Sequence, residues 1–260
     1  MTRIESVFSR PEHKALIAYL TVGYPSIEAT LELVPALVES GCDMVELGIP
    51  FSDPLADGTT IQRASHLALE QGVTPQLCLE VARQLHQRVS TPLVFMSYYN
   101  PLLHYGLEGF CSACADAGVD GLIVPDLPPE EGMELEELTR KHHLDLIYLL
   151  APTSTEERLR FIAARSRGFI YLVSLRGVTG ARETLPADLE SIVAKLRCET
   201  SKPICIGFGI STPQQAQQVA RLADGVIVGS RIIEIVESSE RPTGTAAYFI
   251  HQLRDAMDES

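Results

Sequence analysis

Short apolar, β-branched runs alternate with longer amphipathic segments from one end of this sequence to the other, and that recurrence limits the fold more than any other feature. The runs are ALIAYLTVG (15–23), MVELGIP (44–50), TPLVFMSY (91–98), GLIVPD (121–126), LDLIYLLAP (144–152), FIYLVS (169–174), PICIGFG (203–209) and GVIVGS (225–230). Near-continuous apolar strands belong to a sheet covered on both faces, which means parallel β packed under helices. The stretches between them read as helices. SIEATLELVPALVESG opens on Ser with Glu at the third helical position, PPEEGMELEELTRKHH runs from acid to base, and STEERLRFIAARSRG stops at Gly. Eight such units predict an α/β chain folded as a (β/α)8 TIM barrel, one domain over residues 1–260. Extra helices are expected at the N-terminus (about residues 2–9), after strand 2, where TTIQRASHLALEQG and TPQLCLEVARQLHQRV make two, and after strand 8. An open doubly wound sheet would carry a Gly-rich dinucleotide turn after its first strand, and TVGYPS is not one.

Charge narrows the partners. The 34 acids against 21 bases leave a net charge of -13, which argues against nucleic-acid or anionic-membrane surfaces, since both need clustered Lys and Arg. MTRIESVFSRPEHK lacks the apolar core of a signal peptide and no apolar run is long enough to span a bilayer, so a cytoplasmic location is expected. Of six cysteines only Cys111 and Cys114 have CxxC spacing, inside helical-looking sequence without a second ligand pair, and both are expected in the core. No metal motif is present.

In a barrel of this kind the reactive groups belong where the strands' C-terminal ends open into loops. Those ends read VGYPS, GIPFSDPLADG, SYYNPLL, VPDLPPEE, LAPTST, SLRGVTGAR, GFGIST and VGSRII, a rim rich in Gly, Pro and polar groups. Within MVELGIP the two-residue alternation turns Val45, Leu47 and Ile49 to the helices and Glu46, Gly48 and Pro50 to the barrel axis. Gly48 leaves open space above Glu46. No Lys or Arg occurs in any of the eight runs, so the acid is expected unpaired, with the raised pKa of a group that gives and takes protons near neutrality. A barrel-lining Glu in a salt bridge is the alternative. On the following loop Asp57 is expected at the mouth for catalysis and Asp53 as a turn residue.

The anion site is expected at the far end of the chain. GFGIST and VGSRIIEIV each place small residues at a strand end before a helix, where backbone N–H groups surround a phosphate, and GVTG completes a third side. Tyr19, Met96, Tyr98, Leu149 and Phe208 lie in or at the ends of strands as apolar walls. The combination suggests a flat apolar body with a phosphorylated tail.

VELGIPFSDPLADG, YYNPLL, GLIVPDLPPEE, YLVSLRGVTG, GFGIS and ADGVIVGS together resemble the signature stretches of the tryptophan synthase alpha chain family, over essentially the whole length. The resemblance implies retro-aldol cleavage of indole-3-glycerol phosphate to indole and D-glyceraldehyde 3-phosphate, with the family's catalytic acids on Glu46 and Asp57. It places the phosphate on Gly180, Gly207, Gly209, Gly229 and Ser230, and the indole among Tyr19, Met96, Tyr98, Leu149, Tyr171 and Phe208. Thr179 would belong to a lid closing over Asp57, with Leu175 and Arg176 before it. It also implies no cofactor in this chain, and a beta chain carrying pyridoxal phosphate as partner in an alpha2beta2 heterotetramer, met through Asn100, Pro101 and Asp126. A metal-dependent transferase on another phosphate ester and a partner-activating subunit with little catalysis of its own are the competing readings.

Overall fold

The computed structural model describes residues 1–173, 189–207 and 209–259. Nine strand segments form one parallel sheet: β1 (Ala15–Thr21), β2 (Met44–Gly48), β3 (Leu93–Met96), β4 (Gly121–Ile123), β5 (Asp145–Ile147), β6 (Leu149–Leu150), β7 (Ile170–Val173), β8 (Ile204–Gly207) and β9 (Gly225–Val228). Their order is β5-β4-β3-β2-β1-β9-β8-β7-β6. The two ends of that order, β5 and β6, are consecutive in the chain, so the sheet is a ring and the fold is the expected (β/α)8 barrel.

The fifth apolar run is one strand in the sequence and two in the structure. Its first half pairs with β4 and its second half with β7, and the changeover falls on Tyr148. There the Tyr148 N–H donates to the Ser166 hydroxyl at 3.0 Å, and that hydroxyl donates onward to the Phe169 carbonyl at 2.7 Å. A buried side chain thus satisfies the backbone donor that strand pairing leaves over, as a dry seam requires.

Side-chain alternation sorts the core into two clusters. Val45, Leu47 and Ile49 join the large cluster between sheet and helices. Met44, Ile17, Val94, Ile123, Ile147, Phe169 and Ile227 fill the barrel's inside, where Ile4, Val7 and Phe8 close its bottom. The N-terminal helix (Arg3–Val7), expected from sequence, therefore plugs the barrel. Thr2 starts it with a capping box shared with Glu5.

The helices differ from expectation in two places. After β2 two helices do follow, Thr59–Glu70 and Pro75–His86, and after β9 two more, Ser230–Ser238 and Pro242–Asp258. A further pair after β3, Tyr99–Tyr105 and Leu107–Asp116, was not expected, so YYNPLL is helix rather than loop. In the helix Ile27–Glu39, Ser26 caps the Ala29 N–H, which puts Glu28 at the second helical position and leaves Ser26 to cap without a box. Cys111 and Cys114 are buried in the core, and burial pushes the Cys111 thiol up to about 12, far from a reactive thiolate.

Candidate active site

Glu46 is the middle residue of β2, with Tyr19 on β1 and Val94 on β3 as its register partners. It points inward and is 0% exposed, and neither carboxyl oxygen has a hydrogen-bond partner among the described residues. Burial alone pushes its pKa up to about 8. An unpaired carboxylate here would cost several kcal/mol, so the resting group is the neutral acid. No salt-bridge partner for it stands among the described residues.

Open space above Gly48, expected from the alternation, is not what Glu46 meets. The Tyr19 ring fills it: a Cβ on Gly48 would lie 2.2 Å from the Tyr19 hydroxyl oxygen. That hydroxyl rests 3.3 Å from the Thr21 hydroxyl. Tyr171 occupies the corresponding space above Gly207, where an added Cβ would lie 2.8 Å from its hydroxyl oxygen. Both phenols are buried, and burial, with the fields of Glu46 and Asp57, pushes their pKa values well up, so both stay protonated. Glycine at 48 and 207 is what lets two large aromatic side chains stand inside the barrel.

Asp57 ends the loop after β2, immediately before the helix Thr59–Glu70, and is 8% exposed. Tyr98 donates its hydroxyl to Asp57 Oδ2 at 3.1 Å, and the Ala56 N–H donates to the same Tyr98 oxygen at 2.9 Å. Tyr98 is stacked on Phe51 at a centroid distance of 5.2 Å. Gln62 donates to the Asp57 carbonyl at 2.9 Å and fixes the loop end to the helix. Burial raises the Asp57 pKa to about 6 while the Tyr98 hydrogen bond opposes it, so the group is an anion at neutral pH. Tyr98, expected as a wall, therefore holds Asp57 directly. Asp53 is exposed; its carbonyl accepts from the Leu55 N–H at 2.9 Å, making the turn, while its carboxylate takes the Ser52 hydroxyl at 2.6 Å.

The remaining predicted residues divide by strand. Met96 ends β3, Leu149 begins β6 and Tyr171 lies in β7, all facing the same interior. Gly207 ends β8, and Gly229 precedes the helix Ser230–Ser238 as an N-cap without a side-chain bond, with Ser230 at the helix start. β8 and β9 are neighbours, so these groups share one stretch of rim. Gly209 has φ +67° and nothing within 4 Å of an added Cβ, a left-handed glycine facing open space. Unoccupied N–H groups at a helix start beside small residues suit an anion. Thr179, Gly180, Phe208 and the pair Leu175 and Arg176 lie outside the described residues.

Thr21, Phe51 and Gln62 were missed. Thr21 and Gln62 could have been found only by knowing which strand and helix face each other, because neither sits in a motif. Among the described residues no group of three or more His, Cys, Asp or Glu side chains is arranged to hold a metal ion. Among them, too, no helix is long and apolar enough to cross a membrane.

A neutral buried acid below and an anionic carboxylate above, beside an aromatic interior and a small-residue rim, have the protonation states that proton transfer requires. Known proteins resemble this chain over its whole length. The family described as "Tryptophan synthase alpha chain" matches residues 7–259. The tryptophan synthase alpha chain of Dehalococcoides mccartyi is 57% identical over 258 residues, covering 99% of this chain and 100% of that one. That of Chloroflexus aggregans is 53% identical over 265 residues, covering 99% of each. Among solved structures, tryptophan synthase subunit alpha from Legionella pneumophila superposes with a TM-score of 0.93 at 37% identity, covering 100% of both chains. A chain of Mycobacterium tuberculosis tryptophan synthase does so with a TM-score of 0.92 at 38% identity, covering 98% of both.

Proposed function

Since the chain belongs to the tryptophan synthase alpha chain family, and so is the lyase subunit that cleaves indole-3-glycerol phosphate, we propose that Glu46 is its proton shuttle and Asp57 its indole N–H acceptor. The observation that carries this reading is a pair of buried carboxyl groups on β2 and the loop after it, Glu46 without a hydrogen-bond partner among the described residues and Asp57 held by the Tyr98 hydroxyl, with burial raising the first to about 8 and the second to about 6. Protonated Glu46 gives its proton to indole C3, and the ring nitrogen supplies the electron pair that makes the cationic indolenine. Asp57 accepts from the indole N–H and stabilises the positive charge. The Glu46 carboxylate then takes the proton of the hydroxyl on the adjacent carbon. As that oxygen becomes a carbonyl, the C–C bond breaks, its electrons restore the indole, and Glu46 is protonated again.

The phosphate rests on Gly180, Gly207, Gly209, Gly229 and Ser230, and the indole between Tyr19, Met96, Leu149, Tyr171 and Phe208, with Thr179 in the covering lid. Gly209 and the uncapped helix start at Ser230 support the first assignment. The chain works without a cofactor of its own. Its partner is a beta chain carrying pyridoxal phosphate, in an alpha2beta2 assembly; Leu55 (92% exposed), Leu103 and Met133 are exposed apolar residues on the segments that follow β2, β3 and β4, the last two of which also carry Asn100, Pro101 and Asp126, which favours a partner at the mouth. Asp126 also accepts from the Tyr99 N–H at 2.9 Å. Six unpaired cysteines suit a cytoplasmic setting.

Direct assay of indole release from indole-3-glycerol phosphate, with and without a beta chain, tests the reading. Indole release that resists chelation and rises with the beta chain is the expected result; no release in either case overturns it.

A further inference from the structure

The reaction leaves Glu46 ionised halfway through, in a place where no described residue holds its charge. A carboxylate without a donor in an apolar interior is the most costly species on this path. Among the described residues, the titratable groups facing Glu46 inside the barrel are Tyr19 on β1, Tyr171 on β7 and Cys205 on β8, with Asp57 above them and the Cys42 thiol behind the sheet. Thiols are weak donors and Asp57 repels. Tyr171 stands over Gly207 on the opposite side of the ring. Of these groups Tyr19 is the one in register with Glu46, and its hydroxyl is parked over Gly48, two residues along the same inward face.

Resting on the assignment of Glu46 as proton shuttle, we propose that Tyr19 is its positioning residue: when Glu46 ionises, the Tyr19 hydroxyl leaves Thr21 and donates to the carboxylate. The 3.3 Å contact with Thr21 is long for a bond between hydroxyls, so exchanging it costs little. A donor that engages only the ionised form stabilises the intermediate without strengthening the resting acid. That is the differential binding that raises turnover. Tyr19 thus has two parts, a ring that walls the indole pocket and a hydroxyl that serves Glu46.

The test is the pH dependence of kcat and KM for indole release by wild type, Tyr19→Phe, Tyr171→Phe and Thr21→Val. Tyr19→Phe keeps the ring, so KM stays within about twofold while kcat falls about 10- to 100-fold, the worth of one hydrogen bond to a charged group. Its basic limb moves to higher pH, because Glu46 becomes harder to ionise. Thr21→Val frees the hydroxyl and moves that limb downward. The proposal is overturned if Tyr19→Phe leaves kcat and the limb unchanged, if Tyr171→Phe alone moves the limb, or if Thr21→Val reproduces the Tyr19→Phe loss. Unchanged binding of glyceraldehyde 3-phosphate by calorimetry checks that each variant is folded; should Tyr19→Phe fail it, the direction of the limb in Thr21→Val decides. A wild type that releases no indole removes the reaction itself, a different failure from an unaffected Tyr19→Phe.

Discussion

Two fully buried carboxyl groups sit inside this barrel, Glu46 toward its mouth and Asp145 toward its bottom, and both are 0% exposed. Asp145 is provided for: the Thr2 hydroxyl donates to Oδ2 at 2.6 Å, and Arg167 Nε lies 3.3 Å from Oδ1 as an ion pair without hydrogen-bond alignment. Burial raises its pKa, and the Thr2 hydrogen bond and Arg167 charge hold that rise down. Glu46 has no such partner among the described residues, lies deeper, and goes to about 8. Depth and partnering together set apart a carboxyl group fastened to its neighbours from one without a partner among the described residues. The bottom of the barrel is built for stability, the mouth for chemistry.

The largest expected effect tests the mouth. Glu46→Gln should lower indole release by about 10³-fold or more, since both proton transfers are lost. It should also stabilise the protein. The folded pKa of Glu46 is raised from 4.5 to about 8, so across that interval the native state keeps a proton the unfolded chain has lost, and stability falls as pH rises. Gln never ionises, so denaturant unfolding should show the variant a few kcal/mol more stable than wild type above pH ~8 and equal below pH ~4.5. A destabilised Glu46→Gln would break the contrast between the two ends.

Asp57→Asn should cost about 100-fold in kcat, measured by the same assay, because an amide cannot neutralise the indolenine charge. At the bottom, Asp145→Ala should cost about 2–3 kcal/mol in urea unfolding, leaving the Thr2 hydroxyl and Arg167 without their acceptor, while kcat of the folded fraction stays at wild type. Loss of kcat at constant stability would put Asp145 on the wrong side of the comparison. The rate profile should be a bell, falling about tenfold per pH unit below about 6 as Asp57 protonates and above about 8 as Glu46 ionises. The smallest effect is Tyr98→Phe, a few-fold in kcat: removing a donor that favours the ionised form moves the acid limb to higher pH.

Much of this was legible beforehand, and particular residues show where legibility stops. Period-two alternation sent Glu46 inward and Val45, Leu47 and Ile49 outward, because a strand's facing is a local property. Loop position sent Asp57 to the mouth. What alternation could not show is which neighbouring side chain leans over the space a glycine leaves, so Tyr19 above Gly48 was invisible. Tyr98 was read as a wall because its bond to Asp57 joins residues 41 apart in sequence. The helix Tyr99–Tyr105 escaped because its 7 residues are too few for a period and a Pro sits at its third position. The division of the fifth strand at Tyr148 follows from ring closure, a property of the whole sheet that no local pattern records.

The N-terminal plug has a consequence in time rather than in space. Arg3 is fastened by two 3.0 Å hydrogen bonds to Asp120, 117 residues later, and Thr2 to Asp145, 143 residues later. During synthesis this helix must therefore wait unmoored until Asp120 and Asp145 have been made. Its docking marks the completion of the barrel's floor, so a segment made before both of its anchors settles only after them.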